Sequence, residues 1–357
     1  MRYRLEEIVD VTMGQSPKSE YYNTEKDGYP FLQGNRTFGF KYPTFDTYTT
    51  VVTKFAKVGD VIMSVRAPVG ALNITPVDMC LGRGVCSLRM KNGNQSFLFY
   101  MMKYYVSHLL KKESGTVFGS VNRNDINGLE VDIPEDVEEQ KRIARYLEMI
   151  DDKIELNNAI NNNLEQQAQA IFDNMFPNTS SGDKFIGDFI TPKRGKNLLS
   201  KNAILGDVPV VAGGLEPSTY HNVSNTQAPV LAISASGANA GYVSLWNTPI
   251  WSSDSSYIDS SMTNDVYFWY VLLKKRQTEI FDTQTGSAQP HIYPQHIATM
   301  PITNISNDDI STFTNTVTPI FERIGHNKAE NIRLSALRDT LLRKLMSGEL
   351  DVSDIDL

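Results

Sequence analysis

Residues 136–177 read DVEEQKRIARYLEMIDDKIELNNAINNNLEQQAQAIFDNMFP, and this stretch decides the fold because its pattern returns later in the chain. It begins with an aspartate followed three residues later by a glutamate, which is typical of a helix N-terminus, and it ends at a proline. Between these ends, apolar residues and two asparagines recur at alternating intervals of four and three residues, the spacing of a coiled-coil seam. The predicted seam comprises Ile143, Leu147, Ile150, Ile154, Asn157, Asn161, Leu164, Ala168, Ile171 and Met175.

The same pattern occurs again at an offset of 170 residues. Most positions keep the apolar or asparagine character of the first copy, but Arg338, which aligns with Ala168, is a clear exception. Two long helices that share one register favour pairing with each other, although the alternative for either helix alone is ordinary packing on a core. The second predicted seam comprises Phe313, Val317, Ile320, Ile324, Asn327, Asn331, Leu334, Arg338, Leu341 and Leu345.

The ends of the second helix also repeat. Ser306 and Asp309 align with the capping pair of the first copy, and Gly348 is the predicted stop. Pro319 conflicts with a helix because proline removes a backbone hydrogen bond. It should therefore kink the helix or mark its start, with Thr318 as the cap. A helix of about 40 residues spans roughly 60 Å, and buried asparagines in such a seam commonly fix register and orientation.

The composition is that of a globular protein whose charge is unevenly distributed. The chain has 357 residues, 41% of them hydrophobic, and a formal net charge of −7. The acidity lies in the predicted helices, with −6 in residues 135–178 and −3 in residues 305–357, whereas residues 1–134 carry +3. The blocks between the helices can therefore present a basic surface to a polyanion. No membrane span or signal peptide is predicted, and Cys80 and Cys86 alone suggest a reducing compartment, so the expected location is the cytoplasm.

Each predicted helix follows a block of short strands separated by Gly, Pro and Asn, with one or two apolar helices. The blocks repeat more loosely, since Gly14 aligns with Gly195 at an offset of 181. The sequence predicts an α+β fold with a pseudo-two-fold internal repeat, in which two mixed α/β domains are joined by a long two-helix antiparallel coiled coil. Within the blocks, residues 126–133 and 297–302 are predicted as closing strands. The predicted division is 1–134 (first domain), 135–178 (first helix), 179–305 (second domain), 306–350 (second helix) and 351–357 (C-terminal tail).

The sequence lacks the motifs that an enzyme acting on DNA would need. Residues 247–251 are the nearest run to the base-holding loop of a DNA amino-methyltransferase, but they lack its paired residues. Residues 195–197 contain the lysine of a phosphate-binding loop without its first glycine or the following hydroxyl. The five histidines show no ligand spacing with the cysteines, so no metal site is predicted.

The loops of both blocks carry side chains suited to DNA. Arg, Gln and Asn can bond base edges bidentately, lysine binds phosphate, and glycine allows the backbone to approach a phosphate. Any one of these residues could instead be an ordinary solvated loop residue, but they cluster at matching places in the two blocks. The predicted DNA-binding residues are Gln15, Ser16, Lys18, Gln33, Asn35, Arg36, Arg66, Arg83 and Arg123 in the first block, and Lys193, Arg194, Lys196, Asn197, Gln289 and His291 in the second.

The order of parts resembles the specificity subunits of type I restriction-modification systems over nearly the whole chain. The most specific match is the end of the second helix, where residues 337–350 read LRDTLLRKLMSGEL and are similar to that family's Leu-Arg-x-x-Leu-Leu-x-x-Leu-x-Ser-Gly-Glu-Leu signature. Residues 138–143 and 151–154 resemble the start of the family's first helical spacer.

The resemblance implies a non-catalytic chain with two target-recognition domains, each reading one half of a bipartite site in double-stranded DNA. It also implies partners, namely modification (methyltransferase) subunits, two of them expected, and restriction subunits where a system has them. No cofactor is expected in this chain, because S-adenosylmethionine would bind the modification subunit, and ATP and magnesium the restriction subunit. The assembled complex would be an adenine-specific DNA methyltransferase or a restriction endonuclease.

Two other classes stay open on the sequence alone. A self-sufficient nuclease or methyltransferase would act on DNA without a partner, given magnesium or S-adenosylmethionine. A purely structural adaptor would show no sequence preference for DNA.

Overall fold

The computed structural model describes residues 1–111, 119–286 and 289–351. The chain forms two compact units, and each contains one block and part of both long helices. Unit 1 comprises Met1–Leu156 with Asn331–Leu357, and unit 2 comprises Asn157–Glu330. The predicted division into five segments instead gives each long helix a segment of its own, whereas the two units divide both helices between them. The bounds of the five segments stay a prediction.

The block of unit 1 combines a four-stranded sheet of order β2-β10-β7-β8 with a second sheet of order β3-β5-β4-β9-β6. Helix α2 contributes the largest part of the apolar core beside the first sheet, because its residues 97–102 are all buried. The elements are β1 (Arg2–Arg4), α1 (Leu5–Ile8), β2 (Val9–Met13), β3 (Tyr22–Asn23), β4 (Tyr29–Leu32), β5 (Tyr48–Thr49), β6 (Phe55–Ala56), β7 (Val61–Ser64), β8 (Leu72–Ile74), β9 (Met79–Leu81), β10 (Val85–Met90), α2 (Gln95–Lys111), α3 (Arg123–Asn127), β11 (Glu130–Asp132) and the long helix α4 (Val137–Met175).

The block of unit 2 repeats this plan with a four-stranded sheet of order β13-β19-β16-β17 and a second sheet of order β15-β14-β18. Its apolar helix α5 is buried along residues 266–273. The elements are β12 (Lys184–Phe185), β13 (Lys193–Arg194), β14 (Val208–Val211), β15 (Thr219–His221), β16 (Val230–Ser234), β17 (Val243–Trp246), β18 (Trp251–Ser252), β19 (Ser255–Asp259), α5 (Val266–Lys275), α6 (Gln277–Asp282), α7 (Pro294–Ala298), β20 (Pro301–Ile302) and the long helix α8 (Asn307–Met346).

The repeat extends to strand register. In unit 1 Met13 pairs with Cys86, and in unit 2 Arg194 pairs with Ser256. Met13 and Arg194 are 181 residues apart, and Cys86 and Ser256 are 170 apart, which are the two offsets that the sequence shows. The parallel pair β4 and β9 of unit 1 likewise corresponds to the parallel pair β14 and β18 of unit 2. The predicted fold class, two mixed α/β domains with two long paired helices in an internal repeat, is confirmed.

The second long helix begins before Pro319, and this excludes one of the two alternatives predicted for that residue. Helix α8 starts at Asn307, and the hydroxyl of Ser306 accepts the Asp309 backbone N–H over 3.1 Å as its cap. Pro319 lies inside the helix. A start at Pro319 with Thr318 as the cap is therefore wrong. The Thr318 hydroxyl instead donates to the Thr314 carbonyl oxygen over 2.7 Å, one turn earlier.

The two predicted closing strands are shorter than expected, and a helix precedes each. Helices α3 and α7 occupy the first part of these segments, and only β11 and β20 pair as strands. Asn122 accounts for the first helix, because its side chain accepts the backbone N–H groups of Asn124 and Asp125 and so caps α3.

The helix parts pack antiparallel within each unit. In unit 2 the Asn327 amide donates to the Asn161 side-chain oxygen over 2.8 Å, and Asn157 donates to Glu330 over 2.8 Å. The predicted seam positions that are buried in one unit or the other are Ile143, Leu147, Ile154, Asn157, Asn161, Ala168, Phe313, Val317, Ile324, Asn327, Arg338 and Leu345, and those that are half-buried are Ile150, Leu164, Ile171, Met175, Ile320, Asn331, Leu334 and Leu341.

The seam shifts by one residue near the C-terminal end of each helix. Phe172 is fully buried where the pattern places Ile171, and Leu342 is buried where it places Leu341. A straight helix has 3.6 residues per turn, so it drifts by about 20° per heptad from a strict 3.5-residue repeat. This drift accounts for the same shift in both copies.

Arg338, the exception in the second seam, has a partner in unit 1. Its Nη1 donates to Asp151 Oδ1 over 2.7 Å, and the Asp151 side chain is fully buried. Tyr100 of α2 donates its hydroxyl to the other oxygen over 2.9 Å, and Lys103 Nζ lies 3.7 Å from it. Burial and the adjacent carboxylate raise the pKa of Tyr100, and burial lowers the pKa of Lys103. We call Asp151, Arg338, Tyr100 and Lys103 the ionic junction.

Candidate nucleic-acid interface

In unit 1 the loops after β2, β4 and β9 meet. The Ser16 hydroxyl donates to Gln33 Oε1 over 2.8 Å and accepts the Arg83 backbone N–H over 3.1 Å. A Cβ at Gly14 would overlap the Gly82 carbonyl oxygen, so only glycine lets the loops approach so closely. We call residues 14–18, 33–36 and 82–84, together with Arg66, the first loop cluster.

Arg66 joins this cluster through the backbone. The N–H of Val65, its neighbour, donates to the Gly84 carbonyl oxygen over 2.9 Å, and Arg66 forms an isolated β-bridge with Ser120. The side chains of Gln33, Arg66 and Arg83 are exposed. The structure therefore brings one amide and two guanidinium groups to one accessible set of loops.

In unit 2 a matching set of loops surrounds the end of β13. Arg194 Nη2 donates to Asp254 Oδ1 over 2.6 Å, and the Ser236 hydroxyl also donates to Asp254. The Trp251 indole N–H donates to the Lys196 carbonyl oxygen over 2.8 Å. A Cβ at Gly195 would overlap the Ser252 side chain. We call residues 193–198, 236–237, 251–254 and 289–291 the second loop cluster.

His291 belongs to the second loop cluster. Its backbone forms β-bridges with Ser236 and with Thr285, and its ring stacks on Tyr293 at a centroid distance of 6.0 Å. Gln289 is exposed beside it. The bridge between Ser236 and His291 corresponds to the one between Arg66 and Ser120 in unit 1, so the repeat places the two clusters at the same topological position. Residues 112–118 and 287–288, in the predicted Gly/Ser loops, lie outside the described residues.

Comparisons with known proteins agree with this architecture. A family model for the type I restriction modification DNA specificity domain matches residues 1–166. The putative type I restriction enzyme MjaX specificity subunit of Methanocaldococcus jannaschii is 36% identical over 168 residues, which is 46% of this chain and 39% of that protein. The type I restriction enzyme MjaIX specificity subunit of the same organism is 25% identical over an alignment of 407 residues, covering 99% of this chain and 94% of that protein.

The fold matches as well. The crystal structure of the type I restriction-modification system S subunit from M. genitalium has a TM-score of 0.58 at 18% sequence identity, covering 97% of this chain and 95% of that chain. Residues 1–166 of this chain therefore match the type I restriction modification DNA specificity domain, and nearly the whole chain is similar to specificity subunits of type I restriction-modification systems. These are non-catalytic subunits that confer recognition of the DNA target, and the resemblance to them over nearly the whole chain is confirmed.

The cations of the first loop cluster differ in whether they are paired with a carboxylate. Within residues 1–111, 119–286 and 289–351, no carboxylate lies within ion-pair distance of Arg66 or Arg83. In contrast, Arg36 Nη2 lies 2.6 Å from Asp46 Oδ2, and Lys18 Nζ lies 3.6 Å from Glu20. Hydrogen bonds from Arg36 and Thr47 hold the pKa of Asp46 below its usual range.

These pairs leave the cations available to a ligand. Arg36 and Asp46 are both exposed, and an exposed ion pair contributes only about 0–1 kcal/mol. A phosphate can therefore replace the carboxylate of Asp46 at small cost. The same argument applies less strongly to Arg194, whose partner Asp254 is half-buried and also bonded to Ser236. Lys193, Lys196 and Asn197 are exposed.

Arg123 has a structural contact. Its Nη2 donates to the Val11 carbonyl oxygen over 2.8 Å and so holds α3 against β2. Sequence reasoning could not find the carboxylates that pair with Arg36 and Arg194, because Asp46 and Asp254 are 10 and 60 residues away and nothing in the local pattern marks them.

In the part of the chain that the structure describes, no three His, Cys, Asp or Glu side chains come together as a metal site. None of the helices in that part has both the length and the hydropathy of a membrane span.

Proposed function

We propose that this chain is a specificity subunit that reads a bipartite target in double-stranded DNA, with residues 1–134 and 179–305 as its two target-recognition domains. The observation that supports this most strongly is the recurrence of one loop cluster at the same place in two repeated blocks. Each cluster presents exposed cations and amides on closely packed backbone, which suits phosphate contact and base readout. Helices α4 and α8 would set the spacing between the half-sites.

Within the first loop cluster we assign base readout to Gln33 and Arg83. Ser16 occupies the Gln33 oxygen and leaves its amide N–H groups free to donate, while the Arg83 guanidinium is exposed. Arginine bonds guanine bidentately in the major groove, and a glutamine amide donates to base acceptors. Gln15, Asn35, Lys18, Arg36 and Arg66 are assigned to phosphates or neighbouring bases. The second loop cluster is assigned the same task through Lys193, Arg194, Lys196, Asn197, Gln289 and His291.

The partners proposed are two modification subunits docked on the long helices, with restriction subunits where the system has them. Large apolar side chains that are exposed on these helices support docking, namely Met149, Leu156, Ile332 and Leu337. S-adenosylmethionine would then bind the modification subunit, and ATP and magnesium the restriction subunit. The complex would act in the cytoplasm, where Cys80 and Cys86 stay free thiols.

Selection from a randomised DNA duplex tests the proposed function, with the chain assembled with the modification subunits of its own host. Two short conserved patches separated by a fixed unread spacer are expected, and binding should weaken steeply as salt rises. One continuous patch would contradict the bipartite model. No sequence preference would favour a structural adaptor. Methylation or cleavage by the isolated chain, with S-adenosylmethionine or magnesium, would favour a self-sufficient enzyme.

Arg83→Ala is expected to weaken binding to the selected duplex by about 1–3 kcal/mol and to relax the preference at one base pair, because a bidentate base contact is lost. Fluorescence anisotropy with matched and mismatched duplexes measures both effects. Lys91→Ala is the control. Lys91 follows the other end of β10, about 25 Å from Arg83 along the strand, and its Nζ donates to the Glu6 carbonyl oxygen. Equal losses in the two variants would contradict the assignment of Arg83.

A further inference from the structure

The chain between β4 and β5 forms a loop of residues 35–46, which we call the pinned loop. Its two branches are joined by few backbone bonds. The Thr44 N–H donates to the Thr37 carbonyl oxygen over 2.9 Å, and nearer the tip the Gly39 N–H donates to the Tyr42 carbonyl oxygen over 3.1 Å. So few internal bonds would leave a loop of this length free to open locally.

The base of the pinned loop belongs to the first loop cluster. Asn35 and Arg36 stand there, and the exposed ion pair of Arg36 with Asp46 closes the base across the two branches. Because this pair is exposed, it holds the base only weakly. Something else must determine where these two side chains are placed.

The tip of the pinned loop is held both by strand β8, through hydrogen bonds of Gly39 and Lys41 with residues 73–74, and by the helices of unit 1. Lys41 is buried, and its Nζ donates to Asp152 Oδ1 of α4 over 3.1 Å. Burial alone would lower the pKa of Lys41, but the hydrogen bond to Asp152 and nearby negative charges raise it. A buried ammonium without an acceptor is costly, so Lys41 has one favourable position.

Phe40, which precedes Lys41 at the tip, adds a second contact. Its ring centroid lies 5.8 Å from Lys103 Nζ and 5.8 Å from the Arg338 guanidinium carbon, which are cation–π distances. Both cations belong to the ionic junction. The tip is therefore bound to α2, α4 and α8, while the base carries the side chains proposed to meet DNA.

We propose that Lys41 and Asp152 are positioning residues for DNA recognition, which hold the pinned loop so that Asn35 and Arg36 face the target. This inference rests on the proposed function of the first loop cluster. Coupling between two sites is reciprocal, so DNA bound at the base also stabilises the contact at the tip. Residues 36–41 of the pinned loop would thereby couple DNA contact in the first block to the long helices of unit 1.

Lys41→Met is the variant that tests the inference. Methionine keeps the length and apolar character of the buried side chain, and Asp152 is exposed, so no charge is left buried without a partner. In the complex with modification subunits, and with the duplex recovered by selection, we expect roughly tenfold weaker binding. The loss of preference should fall on the base pairs that Arg36→Ala affects. In the Arg36→Ala background, Lys41→Met should add little, because both changes act through the same loop.

Asp173→Asn is the matched control. Asp173 is a carboxylate of α4 bonded over 2.6 Å to Lys275, a lysine on helix α5 of unit 2 rather than on a loop of the proposed interface. It should leave binding unchanged. Asp152→Ala is the second test variant and should reproduce the effect of Lys41→Met from the helix side.

The outcomes separate the inference from the function on which it rests. If Arg36→Ala weakens binding while Lys41→Met and Asp152→Ala bind as wild type, the positioning role is overturned and the proposed function stands. If Arg36→Ala also binds as wild type, the assignment of this loop to DNA contact is wrong, and the positioning role is overturned with it. Thiol reactivity of Cys80 and Cys86 monitors the fold of unit 1. Raised reactivity together with a uniform loss on every duplex overturns the positioning role in favour of general destabilisation.

Discussion

Arg338→Met is expected to lower the free energy of unfolding of unit 1 by about 3–5 kcal/mol, because it removes the closest partner of a buried carboxylate. Asp151 is fully buried, and its remaining partners are the Tyr100 hydroxyl and the more distant Lys103 ammonium. A urea titration measures the change.

The chain provides a separate probe for each unit in this experiment. Both cysteines, Cys80 and Cys86, are buried in unit 1, and burial raises the pKa of the Cys86 thiol to about 12, so a thiol reagent reacts only after opening. The three tryptophans, Trp246, Trp251 and Trp269, all lie in unit 2. The thiol transition should move to lower urea, and the change in tryptophan fluorescence should move less.

The matched controls test the pairing of Asp151 with Arg338. Asp151→Leu combined with Arg338→Met should be less destabilising than Arg338→Met alone, because no carboxylate is then left buried. Lys344→Met removes an exposed pair with Glu349 at 3.0 Å and should cost less than about 1 kcal/mol. Strictly additive effects of the Asp151 and Arg338 substitutions would contradict an ionic junction.

Phe172→Ala is expected to lower the free energy of unfolding of unit 2 by about 3–5 kcal/mol, the usual cost of deleting a fully buried aromatic ring. Phe172 lies at centroid distances of 5.1–5.6 Å from Phe176, Phe268 and Phe313, so its loss leaves a cavity where α4, α5 and α8 meet. Trp269 contacts Phe268, which makes tryptophan fluorescence a direct measurement.

The control for this variant is Phe281→Ala, which removes a ring of the same size at an exposed position of α6. Its tryptophan transition should stay close to wild type. Thiol reactivity in unit 1 should change less than the tryptophan signal in Phe172→Ala. Similar shifts of the tryptophan midpoint in the two variants would mean that Phe172 is not central to the core of unit 2.

The features that depend on local periodicity could be predicted from the sequence. The spacing of apolar residues predicts helices α4 and α8, and also the repeat and its offsets, because a helix places side chains on one face every three or four positions. The same reasoning placed the candidate DNA contacts in loops next to strand ends. It failed on details that depend on turn chemistry, such as helix α3, which begins after the cap Asn122 and extends into a run predicted as strand.

Pairings between distant parts of the chain could not be predicted. Arg338 breaks the apolar pattern, and its partner Asp151 is 187 residues away at a position that the repeat does not mark. The equivalent positions in unit 2 are Ala168 and Phe321, so comparing the two copies gives no hint of a charge pair. The carboxylates beside Arg36 and Arg194 were missed for the same reason. Only the folded chain shows which of the predicted cations are paired.

The ionic junction has a consequence for chimaeric proteins. Asp151 and Arg338 come from the long helices, but Tyr100 and Lys103 come from the block that a graft would replace. A foreign block grafted onto these helices must supply a hydroxyl and an ammonium at the same two positions of its own helix, or it leaves a buried carboxylate partly unsatisfied. Compatibility of donor blocks can therefore be screened from two residues before any chimaera is made.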